Sequence, residues 1–258
     1  EFRSKMHDSV KMCAIGKRQI GVFLSGGIDS TLIYTLIKEK LRFSIQPFVF
    51  KHPNKTNDES RLAINIAKKY GDEPIVVEDP TSPLESLKQI LWYLELPFSH
   101  PSAVSFLSTY QEIKKRGYKV VLEGHGSDEQ LGGYLHMLNA SAIEALQNAK
   151  IKDYFLRKKI VFDSHHAGYK KISKLKMLKL YLGDFKKIIH SEKINLNEIL
   201  HESFDRQILP LTLRAFDRLS MSCSIESRMP FMDYNFVEFA RRLPTEMRVS
   251  PIGSKSIL

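Results

Sequence analysis

Six consecutive residues, Ser25-Gly26-Gly27-Ile28-Asp29-Ser30, sit between an apolar run, Ile20-Gly21-Val22-Phe23-Leu24, and a segment with Leu32, Ile33, Leu36, Ile37 and Leu41 at helical spacing. A small-residue loop at the mouth of a helix suits an anion, because successive backbone N–H groups form a nest and the helix dipole favours negative charge. Asp29 is out of place in a simple anion site. A carboxylate beside phosphates makes sense when it holds a divalent cation, usually Mg²⁺, that bridges them. Two glycines after a strand need mean no more than a tight turn, with Asp29 or Ser30 as a cap. The full run in this context points to phosphate chemistry, and the absence of a lysine after the glycines excludes a Walker A loop.

A second loop, Gly124-His125-Gly126-Ser127-Asp128-Glu129-Gln130-Leu131-Gly132-Gly133-Tyr134, follows another apolar run. It is not a dinucleotide fingerprint, since Glu129 stands where the third glycine belongs. Gly124 and Gly126 permit close backbone approach, and Asp128 offers a second carboxylate for the metal that Asp29 would hold. Gly132-Gly133 reads as a Schellman-type helix end.

The elements that must position these loops alternate in type. Strands are expected at Ile20–Leu24, Ser44–Phe50, Pro74–Glu78 and Tyr118–Glu123. Helices lie between them: one capped by Asn57 or Asp58 and ended by Gly71, one started at Thr81 or Ser82 before Pro83, and one started at Ser102 and ended by Gly117. Such alternation predicts an α/β fold, a parallel sheet covered by helices on both faces. After Tyr134 the β signal fades. Residues 1–136 are therefore expected to form the α/β core and 137–258 a mainly helical part.

The 258 residues are 43% hydrophobic and 26% charged, an ordinary globular composition. Of the formal +10, most lies between Lys150 and Lys193, where thirteen Lys and Arg face four Asp and Glu. A solvated basic face is the ordinary explanation of such a run. With Tyr154, Phe155, Phe162, Tyr169 and Tyr181 it also raises a tRNA-modifying enzyme as a rival reading. Cys13 and Cys223 make neither a disulfide framework nor a zinc site. With no membrane-length apolar stretch and no signal-peptide pattern, a cytoplasmic, membrane-free protein is expected.

The first loop resembles the PP-loop of enzymes that cleave ATP between the α and β phosphates. Together with the second loop, Leu213-Arg214-Ala215-Phe216-Asp217-Arg218-Leu219-Ser220-Met221, Glu226-Ser227-Arg228-Met229-Pro230-Phe231-Met232-Asp233 and Gly253-Ser254-Lys255-Ser256-Ile257-Leu258, the chain resembles the synthetase domain of glutamine-hydrolysing asparagine synthetases. That resemblance implies a ligase that uses ATP and Mg²⁺ to make an acyl-adenylate, most simply of aspartate, and then an amide with ammonia derived from glutamine. It implies that Ser25, Gly26, Gly27, Asp29 and Ser30 hold pyrophosphate and Mg²⁺, with Asp128 as the second metal-side carboxylate. Leu24, Val49 and Gly124 would meet the adenosine part through backbone, and Lys255 would neutralise charge on the α-phosphate. Arg218, Glu226 and Arg228 either shape the site or tie the helical half to the sheet.

Two positions depart from the asparagine-forming pattern. His125 stands where those members carry glutamate and β-lactam synthetases carry tyrosine; it would act on the incoming amine as a base or serve as a hydrogen-bond donor. Ser102 replaces an arginine used near there for the aspartate carboxylate, with His100 the nearest basic residue. Another carboxylate, such as a sugar acid, or closure of a lactam ring is the alternative outcome. The implied partners are an upstream glutaminase domain, expected to be missing from this chain, and a second copy in a homodimer. The C-terminal motifs argue against a nucleic-acid partner.

Overall fold

A computed structural model describes residues 1–52, 58–78, 83–97, 102–165, 183–184, 193–250 and 253–258. Two compact units result, Glu1–Gly126 with Pro210–Phe239, and Ser127–Leu209 with Ala240–Leu258.

The first unit is built on a five-stranded, wholly parallel sheet. Its strands are β1 (Ile20–Phe23), β2 (Gln46–Lys51), β3 (Ile75–Glu78), β4 (Val120–Leu122) and β5 (Glu226–Arg228), in the order β3-β2-β1-β4-β5. The first four fall where alternating apolar runs predicted them. Between them run α2 (Ile28–Leu36), α3 (Ser60–Lys69), α4 (Pro83–Leu94) and α5 (Ser102–Lys115), after an opening helix α1 (Phe2–Cys13). Val120, Val121 and Leu122 are all buried, as a strand covered on both faces requires. On one face Phe23, Phe48 and Val121 pack with Ile90, Leu94, Leu107, Tyr110 and Ile113 of α4 and α5 and with Leu219 and Cys223 of the helix Ile208–Ser222. Asp58 does help start α3, its Oδ1 accepting from Ser60 N–H at 3.1 Å. Gly71 closes that helix with Asp72 N–H on Ala67 O at 3.1 Å. Asn57, Thr81, Ser82, His100 and the side chain of Ser102 lie outside the described residues.

Nothing in the sequence announced β5. Glu-Ser-Arg has no strand-forming residue, and it is a strand because β4 makes it one. Glu226 N–H donates to Lys119 O at 2.8 Å, and Glu123 N–H to Arg228 O at 3.0 Å. The arginines of this region are ties. Arg228 donates to the carbonyls of Cys13 (2.9 Å) and Ile15 (2.6 Å), holding the end of α1 to the sheet. Arg218 donates to Tyr93 O at 3.2 Å and meets Glu95 at 2.6 Å, closing the end of α4.

Among its described residues the second unit is helical apart from a short antiparallel pairing of Val249–Ser250 with Gly253–Ser254. Helices Leu135–Gln147 and Ile151–His165 pack on each other. Met137, Leu138, Val161, Leu196, Leu200 and Val249 form its core. Part of the basic stretch is interior. Lys158 meets Asp184 at 2.5 Å, Arg157 is buried and donates to Ser141 O at 2.9 Å, and Tyr154 is buried with its hydroxyl on Asp184 at 3.0 Å. Those three side chains serve packing, whereas Tyr169 and Tyr181 fall outside the described residues. Among the described residues no helix is long and apolar enough to cross a membrane.

Both cysteines are free thiols. Burial, reinforced by Asp233 and partly offset by Arg228, pushes the Cys13 thiol from 9.0 to about 11, and burial also raises Cys223. Only the thiolate reacts, so near neutrality Cys13 carries about 100-fold less of the reactive form than an ordinary thiol. At pH 8 a thiol-exchange reagent is expected to modify neither residue at the rate of an unfolded control and both after denaturation. Rapid native labelling of Cys13 would contradict this packing.

Candidate functional site

Strand order reverses at β1, whose neighbours β2 and β4 lie on opposite sides. The carboxyl ends of the two strands at such a switch point flank a crevice, because the connections leave them in opposite directions. β1 and β4 pair Ile20 with Val120, Gly21 with Val121 and Val22 with Leu122. Each ends in one of the two loops singled out by sequence.

The first loop is closed on itself by Ser30. Its Oγ accepts from Ser25 N–H at 3.1 Å, sits 2.9 Å from Ser25 Oγ and donates to Gly27 O at 3.2 Å. Ser25 Oγ also accepts from Gly27 N–H at 3.2 Å. Gly26 is left-handed at φ 90, and a Cβ there would come within 2.8 Å of Glu59 O, so no other residue fits without displacing α3. Gly27 is the N-cap of α2 and supplies no side-chain cap, leaving the first-turn N–H groups to another acceptor. Asp29, half-buried, is the acidic residue of that first turn.

Leu24 and Val49 are fully buried, and Leu24 N–H donates to Phe48 O at 2.9 Å. They line the carboxyl ends of β1 and β2. Gly124 closes the arrangement from β4: a Cβ there would lie 3.0 Å from Asp29 Cβ and 3.3 Å from Ser30 N. Leu24, Ser25, Gly26, Gly27, Asp29, Ser30, Val49, Gly124 and His125 thus share the first unit. His125 lies against Phe216, with ring centroids 4.1 Å apart and the planes tilted by 36°, and 5.5 Å from Phe106.

Asp128 and Lys255 belong to the second unit. Asp128 is in the short helix Ser127–Leu131, and Lys255 Nζ lies 2.7 Å from its Oδ1. Lys255 is left-handed at φ 51, and its N–H donates to Leu131 O at 3.2 Å. A non-glycine residue there costs on the order of 1 kcal/mol, which the contacts around it must offset. The helix end reads as expected from Gly132-Gly133, with Gly133 N–H on Asp128 O at 2.9 Å. Gly133 has a second duty the sequence did not reveal. A Cβ there would overlap both Asp128 Oδ1 and Lys255 Cε, so the ion pair is pressed against bare backbone. Glu129, noted in sequence only for breaking a fingerprint, is buried and accepts from Tyr134 O–H at 2.6 Å.

Gly133→Ala is expected to push the Asp128 and Lys255 side chains aside and so open their ion pair, lowering unfolding stability by up to about 1 kcal/mol. Asp128→Ala in the same chain should return part of that loss, because it removes the nearest clashing atoms. A double-mutant cycle in denaturant checks the coupling, and no coupling between the two substitutions would refute the packing.

The asparagine synthase family model matches residues 1–258. Glutamine-hydrolysing asparagine synthetase 2 of Bacillus subtilis is 26% identical over 274 residues, covering 100% of this chain and 35% of the relative. Synthetase 1 of the same organism is 27% identical over 294 residues, covering 100% of this chain and 46% of the relative. A putative glutamine-hydrolysing asparagine synthetase of Mycobacterium tuberculosis is 34% identical over 136 residues, covering 52% of this chain and 20% of its own. This chain therefore spans less than half the length of these relatives. Among solved structures, a U34-tRNA thiolase of Methanococcus maripaludis aligns over 87% of this chain and 82% of its own, at 15% identity and a TM-score of 0.37, too remote to inform the chemistry. With its two loops at one switch point and a family match from end to end, this chain belongs to the asparagine synthase family.

Proposed function

We propose that this chain is the synthetase portion of an ATP-dependent amide-forming ligase, which activates a carboxylate as acyl-AMP, releases pyrophosphate and passes the acyl group to ammonia. The observation that carries the reading is the approach of Gly124 to Asp29 and Ser30, which brings the loops after β1 and β4 to one point. A carboxylate is a poor acyl donor because oxide would have to leave, and adenylation replaces oxide with AMP.

The roles follow from chemistry and position. Ser25, Gly26, Gly27 and Ser30 would cradle the departing pyrophosphate at the N-terminus of α2, with Leu24, Val49 and Gly124 toward the nucleoside. Phosphate-bound Mg²⁺ needs only one or two protein carboxylates, the rest of its shell being phosphate oxygens and water. Asp29 fits that requirement, a half-buried first-turn carboxylate beside a small-residue loop. Asp128 would share its carboxylate between the metal and Lys255. Lys255 would meet charge developing on the α-phosphate, and Asp128 would hold its ammonium ready until then. His125 would take up the amine's proton. The acceptor acid is aspartate or, given His125 and Ser102, another carboxylate. In the whole protein ammonia would come from a glutaminase domain such as the relatives' name implies.

The test follows pyrophosphate release with ATP, Mg²⁺, ammonia and a panel of acids including aspartate, sugar acids and β-amino acids. Release that depends on one acid, with AMP formed in equal amount, is expected. Asp29→Ala and Lys255→Ala should each lower it by about 10²–10³-fold, the usual loss on removing one preorganised electrostatic group, without altering the unfolding transition by more than the local contacts explain. Release independent of every acid, or ADP as product, would sink the reading.

A further inference from the structure

The roles above leave Glu123 unexplained. Its carboxylate is 1% exposed at the carboxyl end of β4. A buried carboxylate is costly unless its oxygens are paired. Oε1 accepts from Tyr110 O–H at 2.6 Å. Tyr110 is itself fully buried, and its phenol is held well above the ordinary range, first by burial and then by the charge on Glu123, so it keeps its hydrogen and can only donate to the carboxylate. Oε2 lies 3.0 Å from Nδ1 of His125. The approach is off the ideal hydrogen-bond axis, yet both atoms are buried and neither has another hydrogen-bond partner among the described residues.

That facing pair decides where the imidazole carries hydrogen. With Nδ1 bare, two lone pairs would meet in a buried space and each atom would forfeit its only partner, an arrangement that native structures avoid. With hydrogen on Nδ1 both are satisfied after a small rotation of the ring. Phe216 and Phe106, at 4.1 and 5.5 Å between centroids, keep the ring from turning over. The Glu123 N–H on Arg228 O anchors the carboxylate's backbone to β5.

We propose that Glu123 is a positioning residue that fixes neutral His125 as the Nδ1–H tautomer, leaving the Nε2 lone pair to accept a proton from the attacking amine. The catalytic half of this proposal rests on the amide-forming reading above; the tautomer half does not. In the step itself the amine lone pair forms the C–N bond at the acyl carbon, and one nitrogen proton passes to Nε2. The bond from the acyl carbon to the AMP oxygen then breaks, its electron pair leaving with AMP. The imidazolium so formed faces the Glu123 carboxylate, which stabilises it until the proton passes to water. This arrangement belongs to a histidine at position 125, since neither a glutamate nor a tyrosine there presents two ring nitrogens.

The experiment is a long-range ¹H–¹⁵N correlation spectrum of the whole chain carrying ¹⁵N-histidine, with His125 assigned by its loss in His125→Asn. At a pH where the ring is neutral, a protonated Nδ1 and a bare Nε2 are expected. An Nε2–H ring in the unsubstituted protein would overturn the proposal without need of a variant, so it stays falsifiable even if Glu123→Gln does not fold. In a folded Glu123→Gln chain the Nε2–H form should appear, and kcat for amide formation should fall at least tenfold with KM for ATP within twofold. Glu123→Asp should recover part of that loss. A Glu123→Gln chain with unchanged tautomer and unchanged kcat would also overturn it. Should no acid support pyrophosphate release at all, the amide-forming reading fails, and the spectrum still decides the tautomer.

Discussion

The parallel pairing of Ile20–Val22 with Val120–Leu122 is the constraint on which the site depends. About a hundred residues separate these strands, and only their register sets the loops beyond them side by side. The sheet then winds outward in both directions, through β2 and β3 on one side and β5 on the other. In open parallel sheets ligands gather outside the carboxyl ends of the strands at such a point. The rest of the first unit can be understood as support for that junction. Phe23 and Val121, on neighbouring strands, share one core with α4 and α5, so the helices clamp the pairing from one face. Gly124 then brings backbone so close to the Asp29 side chain that a Cβ there would lie 3.0 Å from Asp29 Cβ and its neighbours would have to give way.

Several polar side chains are buried in the second loop and just before it. Glu123, Ser127, Glu129 and Gln130 are all buried within a single short stretch. Burying such groups is weak evidence for stability, because desolvation offsets most of what pairing returns. The left-handed Lys255, held to Asp128 and pressed on Gly133, adds local strain of the kind that accumulates at functional sites. A protein selected for stability alone would fill these positions with apolar residues. Their retention makes sense if charge must be held in fixed directions for a reaction in which charge moves.

The likeness between Glu123–His125 and Asp128–Lys255 is one of logic. In each, a carboxylate fixes a basic group, the tautomer of a ring in one and the place of an ammonium in the other, and in each the carboxylate is anchored by something else. Tyr110 and the β5 backbone do this for Glu123. For Asp128 the anchor is its place in the short helix Ser127–Leu131, whose end is closed by the Gly133 N–H. Orientation of this sort reduces the reorganisation that a polar site must undergo during reaction.

Much of this was legible in the chain itself. The four strands announced by apolar runs, the helix end at Gly71, the phosphate-suited loop at Ser25–Ser30 and the family resemblance depend on patterns a few residues long, where local sterics and periodicity dictate the answer. What escaped reading was non-local. Glu226–Arg228 is a strand only because β4 offers it hydrogen bonds, and no propensity within Glu-Ser-Arg says so. Arg157 and Lys158 looked like part of a solvated basic surface and Tyr154 like support for a nucleic-acid reading, and packing made all three interior. Glu123 looked like the polar end of a strand; Tyr110 from α5 and His125 two residues on turned it into a buried, oriented carboxylate. The sequence alone determined which groups could do chemistry. Only the tertiary structure decided which of them face each other, because contacts between residues far apart in the chain are set by sheet register and core packing, and no local pattern encodes either.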